Sequence, residues 1–195
     1  MTASPPAREH LLAVAEALFE RYGYKKATVE DIAHEAGVGK GTVYLHFASK
    51  EEIGMAWLSK LHGEIEATLR HKADIADPQQ ALRSFLAARV MLRFEIFSRH
   101  RRSMDEALAT LGPQLREKRE RFHAAEAEIA ARIIRRGIDS GAMATADPEE
   151  DARSMVTAMN ALLPYSVRPD LIGNREQVEH RADRLADLLA RGVTA

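Results

Sequence analysis

The chain of 195 residues contains no cysteine, which excludes disulfides, thiolate-ligated zinc and thiol nucleophiles. It has no excess of positive charge either: 28 basic side chains meet 29 acidic ones, for a formal net charge of −1. The overall basicity of a non-specific nucleic-acid binder is therefore absent, and any affinity for DNA must be local. The longest stretch without a charged residue, Ser154 to Val167, falls short of the roughly 20 apolar residues a membrane span needs. The opening MTASPPAREH lacks the apolar region of a secretory signal. Ser-x-x-Lys, Gly-x-Ser-x-Gly and phosphate-cradling glycine loops are missing as well. The expectation is a soluble, cytoplasmic protein that is not an enzyme, with no cofactor, no metal and no membrane partner.

Hydrophobic residues make up 46% of the chain, enough to bury a real core, and the length suits a small helical lobe followed by a larger one. The most informative stretch is TVEDIAHEAGVGKGTVYLHFASK, Thr28 to Lys50. Thr28 and Asp31 have the spacing of a capping box, and Gly37 ends the apolar period of Ile32, Ala33 and Ala36. A second short helix, from about Lys40 to His46, would bury Val43 and Phe47 and turn Lys40, Thr42, Tyr44 and His46 outward. Thr and His can bond base edges, Lys and Tyr suit phosphates, and Gly39 and Gly41 let the backbone approach a duplex.

Helix–turn–helix spacing alone occurs in many helical proteins. The order of residues is more specific. The run AGVGKGTVYLHFASKEEI, Ala36 to Ile53, resembles the DNA-binding segment of TetR-type bacterial transcriptional regulators, from Lys40-Gly41-Thr42 through Tyr44 and Phe47 to Ser49-Lys50-Glu51-Glu52. The likeness extends from Arg8 to about Leu58, and many members carry Ser where this chain has Gly39. It implies an all-α protein in which residues 1–50 form a three-helix DNA-binding domain and residues 51–195 a helical-bundle domain for effector binding and dimerisation. It also implies DNA contacts from Thr28, Lys40, Gly41, Thr42, Tyr44, His46 and Lys50, and a fourth helix whose tilt carries a ligand signal.

In chain order, Ala7 to Tyr22 should form the first helix, opened near Pro5 and Pro6, with Leu11, Leu12, Ala15, Leu18, Phe19 and Tyr22 inward. Ser49 with Glu52 opens a long fourth helix, packed through Met55, Trp57, Leu58 and Leu61. Asp77-Pro78 opens a fifth, apolar on nearly every side from Phe85 to Phe97 and hence central. Arg99, His100, Arg101 and Arg102 read as a solvated basic turn. Gly112-Pro113 should separate a short helix, Ser103 to Leu111, from a long one running from Gln114 to Ser140. Asp147 and Asn174 cap the last two, which brings the expectation to nine helices and no strand.

The last two helices carry more apolar surface than a terminal lobe needs, at Met155, Met159, Leu162, Leu185 and Leu189, which points to a homodimer. Such a dimer would read a near-palindromic double-stranded DNA operator. A set of large adaptable side chains could line a cavity for a small, largely apolar effector: Met91, Phe94 and Phe97, then Phe122 and His123, then Met155 and Met159. Arg89 and Arg93, four apart, repel unless an anionic ligand or a carboxylate such as Glu126 pairs with them. Three other chemistries compete. A di-iron helical bundle needs two Glu-x-x-His motifs, and only Glu120 to His123 has the spacing. Metal sensing would recruit His62, His71, His100 and His123, which fall on separate elements. A chromosome-organising protein of the same fold would carry the same sequence signals.

Overall fold

A computed structural model describes residues 7–164 and 173–195. Pro5 and Pro6 lie outside the described residues. The elements are α1 (Ala7–Tyr22), α2 (Val29–Glu35), α3 (Lys40–His46), α4 (Lys50–Ala73), α5 (Pro78–Arg99), α6 (Arg101–Asp139), α7 (Pro148–Met159) with a single 3-10 turn (Asn160–Leu162), and α8 (Arg175–Arg191). Among the described residues there is no strand, only an isolated bridge between Met143 and Thr194.

The helix boundaries follow local chemistry. Thr28 caps α2 through the Asp31 amide (3.1 Å), while the Asp31 carboxylate returns to the Thr28 amide (2.9 Å). Gly37, at φ +68, supplies the left-handed residue that ends the helix. Ser49 accepts from the Glu52 amide at 3.3 Å, and the Glu52 carboxylate accepts from the Ala48 amide, one residue further back than a reciprocal box requires.

Two departures from the sequence reading have physical reasons. Gly112-Pro113 does not break the chain, so α6 runs unbroken for 39 residues where two helices were expected. Leu111 and Leu115 are both buried, so the apolar face passes straight through the dipeptide, and that burial outweighs the one backbone donor a proline lacks. The basic turn shrinks to His100, and His100 is buried rather than solvated.

The described residues form two compact units: the chain up to His62 with Arg99–Glu117, and Gly63–Ser98 with Lys118–Ala195. α4 and α6 therefore each contribute to both. In the first unit Leu11, Ala15, Phe19, Ile32, Val43 and Phe47 are buried around Trp57, whose ring meets Phe19 edge-on at 5.4 Å and His100 at 5.7 Å. Residues distant in sequence complete it: Ser103 Oγ donates to the Phe19 carbonyl at 2.5 Å, and the Lys25 amide donates to Glu106 at 2.7 Å. Tyr22, expected in the α1 stripe, is 41% exposed because the chain turns away at Gly23.

The second unit packs α5 at its centre, with Leu82, Phe85, Leu86 and Val90 fully buried among Leu69, Ile134, Met159 and Leu163. α8 presents Val178, Ala182, Ala186 and Ala190 inward at four-residue spacing. Small side chains let this helix approach closely, which leaves its leucines only partly covered.

Candidate nucleic-acid interface

α2, the Gly37 turn and α3 make a helix–turn–helix. Val43 and Phe47, four apart, are 0% and 1% exposed and pin α3 to the unit's core. Positions midway between them must point away, and Tyr44 (46%) and Leu45 (83%) are the large apolar side chains α3 exposes. Lys40 and Gly41 are exposed, whereas Thr42 and His46 are half-buried at the edges of the same face. Gly39 and Gly41 leave open space where a side chain would stand, so the backbone there can come close to a partner.

The charges on this face are arranged rather than free. The Lys40 ammonium bonds the Glu30 carboxylate on α2 and lies 5.7 Å from the Tyr44 ring centre. That hydrogen bond raises the Lys40 pKa and lowers that of Glu30, and both side chains are exposed. An exposed pair of this kind is weak and open to competition from phosphate. The Thr28 hydroxyl donates to Asp31 at 2.7 Å besides capping α2, which places a carboxylate beside this expected DNA contact.

Lys50 is directed inward. Its ammonium donates to the Lys25 carbonyl at 2.9 Å and sits 4.8 Å over the Tyr24 ring, and burial lowers its pKa despite Glu51 and Glu106. Its charge remains at the edge of the interface, but it also braces the turn after α1. Burial, with Glu51 adding to it, pushes the Tyr24 hydroxyl up to about 12. The Arg8 guanidinium lies 4.6 Å over Phe47 and fixes the start of α1 against the end of α3. The residue that sequence reasoning missed is Leu45. The signal was available, since two positions on from an inward Val43 is the opposite face of a helix.

With this geometry, the comparisons with known proteins converge. Residues 11–54 match the family model described as bacterial regulatory proteins, tetR family. The helix–turn–helix segment of this chain resembles the TetR family. It is similar to the HTH-type transcriptional repressor DhaR of Mycobacterium sp. (strain GP1), with 33% identity over 44% of each chain. It also resembles the solved structure of SmeT, repressor of the Stenotrophomonas maltophilia multidrug efflux pump SmeDEF: 25% identity, TM-score 0.68, covering 98% of this chain and 92% of that one. A SmeT–triclosan complex superposes at TM-score 0.69 with 23% identity over 97% and 92%. The chain spans less than half the length of most of the curated relatives it matches.

Within the TetR-type fold, the expected effector residues all fall in the second unit, with unequal access. Arg89, Arg93, Phe97, Met155 and Met159 are buried, while Met91, Phe94, Phe122 and His123 are half-buried. The two arginines share Glu126: Arg89 Nε donates to it at 2.5 Å and Arg93 bonds its second oxygen. Arg89 also donates to the Val156 carbonyl (3.1 Å) and to Asn160 Oδ1 (2.7 Å), and Asn160 meets His123 Nδ1 at 3.3 Å. Burial drives the Glu126 pKa up, but Arg93 and Arg89 overcome it and hold the carboxyl below its ordinary value. Burial and then Arg89 lower His123 to about 4, with Arg93 adding to the effect. Of the expected dimer residues, Leu162, Leu185 and Leu189 are half-buried against the unit's core, and Leu188, which was not among them, is 55% exposed.

Proposed function

We propose that this chain is a ligand-responsive transcriptional regulator, a repressor that binds a near-palindromic operator as a homodimer. The observation that carries the proposal is the α2–α3 helix–turn–helix, inside the family match, with Lys40, Gly41, Thr42, Tyr44, Leu45 and His46 on its outer face. A face of this size enters a major groove, where Thr42 and His46 reach base edges and Lys40 and Tyr44 meet phosphates. Thr28 and Lys50 flank it. Residues 1–50 then dock on DNA, and residues 51–195 bind effector and partner. Leu162, Leu185, Leu188 and Leu189 supply an apolar face for the second subunit, and two-fold pairing places two recognition helices on successive groove faces.

The proposed effector is a small, largely apolar molecule received among α5, α6 and α7, and its binding lowers DNA affinity. The half-buried Met91, Phe94 and Phe122 support this reading, as adaptable side chains next to a polar cluster at Arg89, Arg93 and His123 that can orient a ligand. SmeT holding triclosan is a case of the fold accepting such a compound. Release requires the ligand to favour the arrangement that binds DNA poorly, and a coupling of about 1–3 kcal/mol changes operator affinity by roughly 5- to 150-fold.

The test is selection of genomic fragments by the purified protein, followed by footprinting and sedimentation. Two inverted half-sites protected by a dimer are expected. A single protected half-site, or a protein monomeric at micromolar concentration, would overturn the proposal.

A further inference from the structure

In the second unit, the last turn of α4, the residue after it and one turn of α6 enclose an open cleft of about 440 Å³, lined by Arg70, Ala73, Asp74, Arg132, Ile133 and Arg136. The volume is that of a small-molecule site. Three guanidinium groups face a single carboxylate. Arg132 and Arg136 are four residues apart on α6, so they share a face and repel each other. Ile133, 2% exposed, provides an apolar floor beside them.

The arginines differ in what already holds them. Arg70 is matched by Glu66, through Nε at 3.1 Å and a second bond from its terminal nitrogen. Arg136 donates one terminal nitrogen to the Ile75 carbonyl at 2.6 Å, while its Nε is buried with no hydrogen-bond partner. Arg132 is exposed and forms no ion pair among the described residues. A basic side chain in the last turn of a helix complements its dipole, which with the Glu66 pair accounts for Arg70, and one terminal nitrogen of Arg136 is accounted for by the Ile75 carbonyl. That account covers neither Arg132, which lies on another helix, nor the orphaned Nε of Arg136. A buried donor without an acceptor is unfavourable, and two neighbouring guanidinium groups are relieved by one shared oxyanion.

We propose that this cleft binds a small organic oxyanion, held by Arg132 and Arg136 over Ile133, with a carboxylate or phosphate group as the recognised chemistry. The site is separate from the cluster around Glu126 and needs no assumption about DNA.

Titration calorimetry of the full chain with sodium phosphate and with sodium succinate, in chloride buffer of matched ionic strength, tests it. Saturable binding is expected. Heat with phosphate alone assigns a phosphate ester, and heat with succinate alone assigns a dicarboxylate. Arg132→Ala removes an exposed side chain that holds nothing in the fold and should weaken the bound probe at least about tenfold. Arg83→Ala, which removes a surface partner of Asp187, should leave binding unchanged. No saturable binding by either probe, or an Arg132→Ala variant that binds as the wild type does, overturns the proposal.

Discussion

Arg89 Nε and the Glu126 carboxylate meet at 2.5 Å with both side chains fully buried, and Arg93 takes the other carboxylate oxygen. A buried ion is stable only while its partner is present. Glu126→Ala leaves two guanidinium groups facing each other and should cost about 3–5 kcal/mol in urea unfolding at fixed protein concentration. Replacing all three charges, Arg89→Met with Arg93→Leu and Glu126→Leu, should cost less than the single change, because no buried charge is left stranded. A Glu126→Ala variant with an unchanged midpoint would refute the pairing.

The pH dependence follows from His123. Its pKa is lowered to about 4 by burial and Arg89, against about 6.5 in the unfolded chain. Below pH 6.5 the unfolded chain takes up a proton that the folded one refuses until about 4. The contribution is therefore present above 6.5 and drains away between 6.5 and 4. The depressed Glu126 carboxyl adds a loss at still lower pH. His123→Gln, which keeps a hydrogen-bonding group for Asn160, should flatten the fall in melting temperature between pH 6.5 and 4.5. An imidazole that titrates near 6.5 by NMR would contradict the burial of this ring.

Two glycines of α4 should respond in opposite directions. A Cβ at Gly54 would stand 2.7 Å from the Tyr24 ring and 2.9 Å from Leu111, so Gly54→Ala should destabilise by about 1–3 kcal/mol. Gly63 has nothing within 4 Å, and Gly63→Ala should stabilise by about 0.5–1 kcal/mol through helix propensity. Thermal or urea melts of the two variants side by side check the contrast; equal shifts would rule out the close approach of Tyr24 and Leu111 to α4.

On DNA, Leu45 and Lys50 should separate reading from anchoring. Leu45→Ala removes an apolar contact suited to a thymine methyl and should change which bases are preferred, at about 1–3 kcal/mol for the affected position. Lys50→Ala should weaken binding alike on all sequences and lower the salt slope by roughly one per subunit. Because its ammonium braces the Lys25 carbonyl, the same change should lower the melting temperature. A Lys50→Ala protein with unaltered salt dependence would remove this residue from the interface.

The helix–turn–helix was legible because its determinants are local. Thr28 finds Asp31 three residues away, Gly37 reaches a backbone region other residues avoid, and Val43 and Phe47 fall on one face by the helical repeat. The α5 pattern pointed in the same way to a central helix, and the repulsion of Arg89 and Arg93 called for an anionic ligand or a carboxylate such as Glu126; Glu126 pairs with both.

Distance in sequence marks where such reasoning stops. Glu106 lies 81 residues from the Lys25 amide it receives, and only the packed chain selects it; Glu126, 37 residues from Arg89, could be named beforehand as one candidate but not chosen over an external anion. Whether Gly112-Pro113 ends a helix depended on burial on both sides of it, and whether His100 is solvated depended on Trp57, 43 positions earlier. The inward turn of Lys50 has the same origin. Short-range capping, periodicity and turn chemistry are set by neighbours along the chain, whereas the choice of partner for a charge and the depth of a side chain are set by whichever surfaces folding brings together.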